Sequence, residues 1–309
     1  MADSRAVVGG LNIGQGKQVS TEGSSAGSMF RPSSSILPKG GRTNPGIEEK
    51  DLEASENKWP ILVCLLGDFC ILKGNYPLML HGDKTATLVQ LLALRKGKIV
   101  SREALLDTLW PGRTTALAGQ SLNSLIYSLR KTVEGSVLEG GLILQQGGAY
   151  RLNTSAGVGV DIALFDNLVQ SGHQARAAGE ISFSNTCFIQ AIRLYRGDLR
   201  IGSDINCAIE RERLRASFLT VLAQMADTSF AAGDYALAIS YAQRILERDP
   251  CREDAHRQVM RCFVRQGQRA QAFRQYELCV SALRLEFDVE PEPQTIQLFE
   301  QIRLDPTSV

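Results

Sequence analysis

Apolar and polar positions along the chain fall into three regimes. Residues 1–58 show no apolar periodicity and are rich in Gly, Ser, Pro and charge. A segment such as SSAGSMFRPSSSILPKGGRTNPG buries too little apolar surface to offset the entropy of ordering, so a disordered tail is expected there. From Trp59 to Leu80 come three short apolar runs, ILVCLL, FCIL and YPLML, broken at Gly67-Asp68 and Lys73-Gly74-Asn75. They predict a small antiparallel sheet. Helical spacing then sets in. Leu88, Leu91, Leu92 and Leu94 follow Asp83, a candidate N-cap, and Gly97 closes that helix. SREALLDTLW predicts a second helix, with Ser101 at its start and Pro111-Gly112 at its end. The connection PGRTTALAG leads to a third helix from about Ala118 to Glu134, ended by Gly135. Leu122, Ile126, Leu129 and Val133 form its apolar stripe, widened by Leu125. LILQ, a Gln-Gly-Gly turn and AYRLN then predict a two-stranded hairpin ending near Asn153.

The remainder reads as helical repeats. Gly179, Gly233 and Gly267 sit in the similar contexts AAGEI, AAGDY and RQGQR, the last two 34 residues apart, which is the tetratricopeptide period. Ser184, Ala238 and Ala272 fall at the tight-packing position after each glycine, and Phe188, Ala242 and Tyr276 follow four residues later. The first interval is 54 residues, so an irregular helix pair over Ile192–Leu219 is expected to interrupt the array. No unit can bury its apolar face alone, so the units must stack. The fold class is therefore mainly α with a small β component: a winged helix-turn-helix followed by a tetratricopeptide-like repeat domain. The expected divisions are a tail over 1–58, a winged helix over 59–153, a linker over 154–160, repeats over 161–304 and a short tail over 305–309.

Composition narrows the function classes. The chain has 309 residues, 44% hydrophobic and 22% charged, as a soluble globular protein has. No stretch suits a transmembrane helix, and the N-terminus lacks the charged start and apolar core of a secretory signal. The cytoplasm, with association to the nucleoid, is the expected compartment. The seven scattered cysteines read as small buried hydrophobes kept reduced. The net charge of +1 conceals a division: residues 59–153 carry 10 basic and 6 acidic side chains, residues 154–309 carry 17 and 20. The basic excess lies where the winged helix is expected, and it suits phosphate contact. The 17 basic residues after 153 are all Arg, which reads as composition plus helix propensity.

A third helix with a polar face fits the major groove, and the hairpin would act as a wing. At these residues the chain resembles known regulators. The leading strands, LLALRKGKIVSREALLDTLW, SLNSLIYSLRK and GGAYRLN resemble the OmpR-type winged helix. VDIALFDNLVQSGHQA, AIRLYRGDL, AIERERLR, FAAGDYALAI, RQYELC and FDVEPEPQTIQLFEQIR resemble the bacterial transcriptional activator domain. Together they resemble the streptomycete antibiotic regulatory protein type of transcriptional regulator, in its short form without an ATPase module. The resemblance implies a DNA-binding activator of promoter repeats, whose helical domain helps the winged helix bind and engages the transcription machinery.

Candidate DNA contacts follow from the third helix. Asn123, Tyr127 and Arg130 stand at i, i+4 and i+7 on one face, with Gln120, Ser124 and Lys131 beside them. Asn123 suits adenine, while Arg130, Lys131 and Lys84, at the start of the first helix, suit phosphates. Arg113, in the long connection, is a candidate contact to DNA or RNA polymerase. Promoter double-stranded DNA, RNA polymerase and a second copy of the chain are the expected partners; no cofactor and no membrane are. The third helix is poor in Arg, which leaves a second class of function open: a protein–protein scaffold with weak or lost DNA binding.

Other chemistry is set aside. GLNIGQGKQ imitates a phosphate loop, but Gln18 follows Gly16-Lys17 where Ser or Thr should hold magnesium. Cys251, His256 and Cys262 are spaced so that a helix turns each away from the last, which does not suit tetrahedral zinc. His81, His173 and His256 stand in no nucleophile or acid–base arrangement, so neither a metal site nor an enzyme is expected.

Overall fold

The computed structural model describes residues 59–74, 76–133, 140–202 and 205–308. The tail expected over 1–58 and the helix end expected at Gly135 lie outside them. The chain enters through strands β1 (Ile61–Cys64), β2 (Cys70–Lys73) and β3 (Tyr76–Leu78), paired antiparallel in succession. Helix α1 (Asp83–Leu94) follows, with Gly82 as its N-cap. Asp83 thus sits one residue inside the helix, where its charge complements the helix dipole instead of capping. Strand β4 (Val100–Ser101) leads into α2 (Arg102–Leu109), and the Ser101 hydroxyl accepts from the Ala104 N–H as a cap should. Helix α3 (Thr115–Val133) starts three residues earlier than the sequence suggests. The connection is correspondingly short, and Gly119 is buried inside the helix instead of marking a loop. Strands β5 (Ile143–Gln146) and β6 (Ala149–Leu152) form the hairpin, turned by Gly147-Gly148 with φ of 58° and 75°. A second sheet has the order β4-β6-β5.

The segment 154–160, expected as a linker, is built into the fold. Thr154–Ala156 makes a 3-10 turn, and Val158–Val160 forms β7, which pairs parallel with β1. The leading sheet therefore has the order β3-β2-β1-β7. Val158 and Val160 are buried, and a Cβ on Gly159 would lie 2.8 Å from the Trp59 ring, so glycine lets the strand close in under the indole.

Seven helices complete the chain as described: α4 (Asp161–Ala177), α5 (Ile181–Leu194), α6 (Ile205–Ala231), α7 (Tyr235–Leu246), α8 (Glu253–Arg265), α9 (Arg269–Phe287) and α10 (Pro293–Leu304). Pro306–Ser308 forms a 3-10 turn within the expected short tail. Gly233 and Gly267 turn the α6–α7 and α8–α9 pairs at φ of 79° and 73°, a conformation that costs other residues free energy. Ser184, Ala238 and Ala272 are fully buried at the tight-packing positions. The helix pair expected over Ile192–Leu219 is absent. A crossover without helix follows α5, and the long helix α6, of 27 residues, absorbs the rest of the irregular interval. One apolar core runs from Ile61 in the leading sheet to Val259 in α8, and a smaller cluster of Met260, Ala272, Leu298 and Ile302 closes the C-terminal end.

Candidate nucleic-acid interface

Helix α3 separates its two faces as its sequence requires. Leu122, Ile126, Leu129 and Val133 are buried, while Gln120, Asn123, Ser124, Tyr127, Arg130 and Lys131 are exposed. Tyr127 is the most open of the aromatics on this helix, at 71% exposure. Among the described residues the polar face is not covered by the repeats. Arg130 and Lys131 lie in the last turn, where cations also complement the helix dipole.

Asn123 is held in place by a residue the sequence reading passed over. Arg102, the first residue of α2, donates from Nη1 to the Asn123 Oδ1 at 3.1 Å and to the Tyr150 hydroxyl at 2.7 Å. Its Nη2 donates to the Gly119 carbonyl at 3.0 Å. One guanidinium thus joins α2, α3 and the wing strand β6, and it lies where a Cβ on Gly119 would be, 2.7 Å away. The amide of Asn123 is thereby oriented: one lone pair of its oxygen is taken, and its N–H donors and the second lone pair remain for a base edge. Tyr150 is a core aromatic, fully buried, as its place in the wing predicts. The one sequence signal for Arg102 is a cation in the first turn of a helix, where the dipole disfavours it.

The other candidate residues are placed differently. The Ser124 hydroxyl donates to the Gln120 carbonyl at 3.1 Å, so its proton is used within the helix. The Lys84 ammonium donates to the Leu109 carbonyl at 2.5 Å and lies 5.2 Å from the Trp110 ring, which ties it to the C-terminus of α2. Arg113 is exposed in the α2–α3 connection. The wing tip, Gln145 to Gly148, is exposed and carries no cation.

The interface is oriented by two polar contacts to the repeats. Asp161, at the start of α4, is buried; its Oδ2 accepts from the Leu65 and Leu66 N–H groups at 2.8 Å each and its Oδ1 from Ile162 N–H at 2.8 Å. Burial pushes its carboxyl up to about 6, while these N–H groups and Arg196 pull the other way. The second contact is a network: Lys96, just past α1, meets Asp166 at 2.5 Å and Glu210 at 3.0 Å, and Arg213 meets Asp166 at 3.0 Å and Glu210 at 2.8 Å. The hydrogen bond from Arg213, with Lys96 adding to it, holds the Glu210 carboxyl down at about 2. The crossover after α5 adds a third strap. Leu199 bridges to Leu66 and Gly67, and Arg200 meets Asp68 at 2.7 Å.

His256 is engaged structurally: its Nε2 meets the Pro250 carbonyl at 2.9 Å and its Nδ1 meets Gln275 Nε2 at 2.6 Å. Burial lowers its pKa. No cluster of three or more His, Cys, Asp or Glu suited to a metal occurs among the described residues. No described helix is long and apolar enough to cross a membrane.

Comparison with known proteins agrees with this architecture. Residues 80–152 match the family described as transcriptional regulatory protein, C terminal, and residues 160–303 match the bacterial transcriptional activator domain. The chain is 28% identical over 248 residues to the regulatory protein DnrI of Streptomyces peucetius, covering 74% of this chain and 91% of that one. It is 27% identical over 259 residues to the regulatory protein AfsR of Streptomyces coelicolor, covering 84% of this chain but 25% of that longer one. Among solved structures, Mycobacterium tuberculosis EmbR, in complex with a low affinity phosphopeptide, superposes with a TM-score of 0.64 at 20% identity. That match covers 79% of this chain and 65% of EmbR, and it shows a shared fold.

Proposed function

Given that the chain belongs to the streptomycete antibiotic regulatory protein type of transcriptional regulator, we propose that it reads promoter DNA with the polar face of α3 in the major groove. Asn123 and Tyr127 contact bases, and Arg130 and Lys131 contact phosphates. Gln120 lies on the same exposed surface, one turn earlier. Lys84 serves α2 first and reaches phosphate only with the ammonium protons that Leu109 leaves free. The α2–α3 connection with Arg113 meets RNA polymerase, which makes the protein an activator. The repeats hold two copies on adjacent promoter repeats, and the protein acts in the cytoplasm at the nucleoid.

The observation that carries this reading is the exposure of Asn123, Tyr127, Arg130 and Lys131 on one side of a helix whose opposite side is fully buried. The test is selection of DNA sequences with the purified protein, then footprinting, with Asn123→Ala and Arg130→Ala alongside. The first variant is expected to lose base preference at one position. The second should weaken binding on all sequences and lower the salt slope by about 1. Equal binding by all three proteins would remove α3 from the interface. A second reading, a protein scaffold, is favoured by the cation-free wing tip and by the engagement of Lys84 and Ser124. It predicts no specific shift of the protein's own upstream DNA at any salt concentration.

A further inference from the structure

Two of the seven cysteines face each other. Cys64 ends β1 and Cys70 begins β2, and they are direct cross-strand partners in the antiparallel register. Side chains opposite each other in such a pair share a face of the sheet, at a Cα separation of about 4.5–5.5 Å that also suits a disulfide. Cys64 is buried and Cys70 half-buried, so one sulfur is sheltered and the other reachable from solvent. Arg196, from the crossover after α5, brings its Nη1 to 3.8 Å from the Cys70 sulfur. None of the interactions proposed for DNA binding uses these groups.

We propose that Cys64 and Cys70 form a peroxide-reactive dithiol, with Cys70 as the attacking sulfur and Cys64 as the resolving one. The hydrogen bond with Cys64 brings the Cys70 thiol down to about 6, and Arg196 adds to this against the effect of burial. The Cys64 thiol is pushed up, first by its neighbour and then by burial, so it keeps its proton. A low, accessible thiolate beside a protonated partner is the arrangement that favours oxidation to a disulfide. The Cys70 thiolate attacks one oxygen of hydrogen peroxide; the O–O bond breaks and hydroxide leaves, taking up the proton lost when the thiol ionised, as water. Cys70 is then a sulfenic acid. The Cys64 sulfur attacks it, the S–S bond forms, the S–O bond breaks, and the hydroxyl leaves with the Cys64 proton as a second water. Two thiols are oxidised by two electrons and one peroxide is reduced to two waters. The resulting bond staples the loop 65–69, whose Leu65 and Leu66 N–H groups hold Asp161.

The test is mass mapping of the full chain. In the reduced protein at pH 7, Cys70 should be alkylated at least about tenfold faster than Cys251, the other half-buried cysteine, as its larger thiolate fraction requires. After treatment with hydrogen peroxide, the tryptic peptide spanning residues 59–73 should lose two hydrogens and refuse alkylation at both positions, reversibly with a reductant. The remaining five cysteines should still alkylate after denaturation. Cys64→Ser should stop at a Cys70 sulfenic acid trapped by dimedone. Cys70→Ser should leave Cys64 reduced, and it gives the second arm should the first variant fold poorly. Full alkylation of both thiols in the folded, peroxide-treated wild type would overturn the proposal. So would a Cys70 that reacts no faster than Cys251.

Discussion

Replacing Asp161 with alanine strips the contact between the winged helix and the repeats of its central acceptor. Three N–H groups, those of Leu65, Leu66 and Ile162, each at 2.8 Å, lose their partner in a region sealed from water. Leaving a buried donor unsatisfied costs about 1–3 kcal/mol, so the gross loss is roughly 3–6 kcal/mol. An opposing effect reduces it. Burial raises the carboxyl from 3.8 to about 6, and keeping it charged at neutral pH therefore costs about 3 kcal/mol at about 1.4 kcal/mol per pH unit. The net loss expected for Asp161→Ala at pH 7 is about 2 kcal/mol. The pH dependence fixes the sign. A folded pKa above the unfolded one means that the native state binds more protons between pH 3.8 and about 6. That contribution to stability is fully present below the window and is lost as pH rises through it. The variant has no such group. The gap between wild type and Asp161→Ala should therefore widen by about 1 kcal/mol on going from pH 7 to pH 5. Urea unfolding at the two pH values measures it. A gap that narrows at pH 5, or one below about 0.5 kcal/mol at pH 7, would refute the reasoning.

Other substitutions probe separate features. Gly172→Ala places a Cβ 2.4 Å from the Phe188 ring, so α4 and α5 must separate; a loss of about 2 kcal/mol, read as a fall in Tm of about 4–8 °C, is expected. The Glu210 carboxyl is held down by Arg213 and Lys96, so its contribution is present above pH 4.5 and is lost as pH falls towards about 2. Lys96→Met should flatten that acid limb by about 1 kcal/mol or less after solvent screening, in thermal melts at pH 3 and pH 6. Arg102→Met frees the Asn123 amide and the Gly119 carbonyl; it should blur base preference at the position Asn123 reads, in the same DNA selection. Arg102→Lys should not restore that preference, because a single ammonium cannot span three acceptors on separate elements.

The parts of this molecule that were legible in the sequence are those written in local periodicity. The Leu122–Val133 stripe is buried position for position, Ser101 caps α2, and the 34-residue interval marks a repeat. What escaped depends on residues far apart. Val158-Gly159-Val160 is too short to declare itself a strand, and its partner lies almost a hundred residues earlier. The crossover after α5 looked like surplus helix because Tyr195 to Gly202 contains apolar residues. Those residues face inward: Leu199 is fully buried against the leading sheet. In the candidate site, exposure followed from the amphipathic pattern, but the engagement of Lys84, Ser124 and Asn123 did not. Each is set by an acceptor or donor that only the folded backbone brings near.

Because β1 and β7 are neighbours in one sheet, everything between them is a loop with both ends fastened to the same plank. A reading head hung on a single flexible tether could swing to suit operators of varied layout. This one has no such slack. If two copies are clasped through their distal helices, their reading heads meet the duplex at one separation and one phase. Inserting five base pairs between half-sites, half a helical turn, should then abolish joint occupancy, whereas inserting ten should restore much of it.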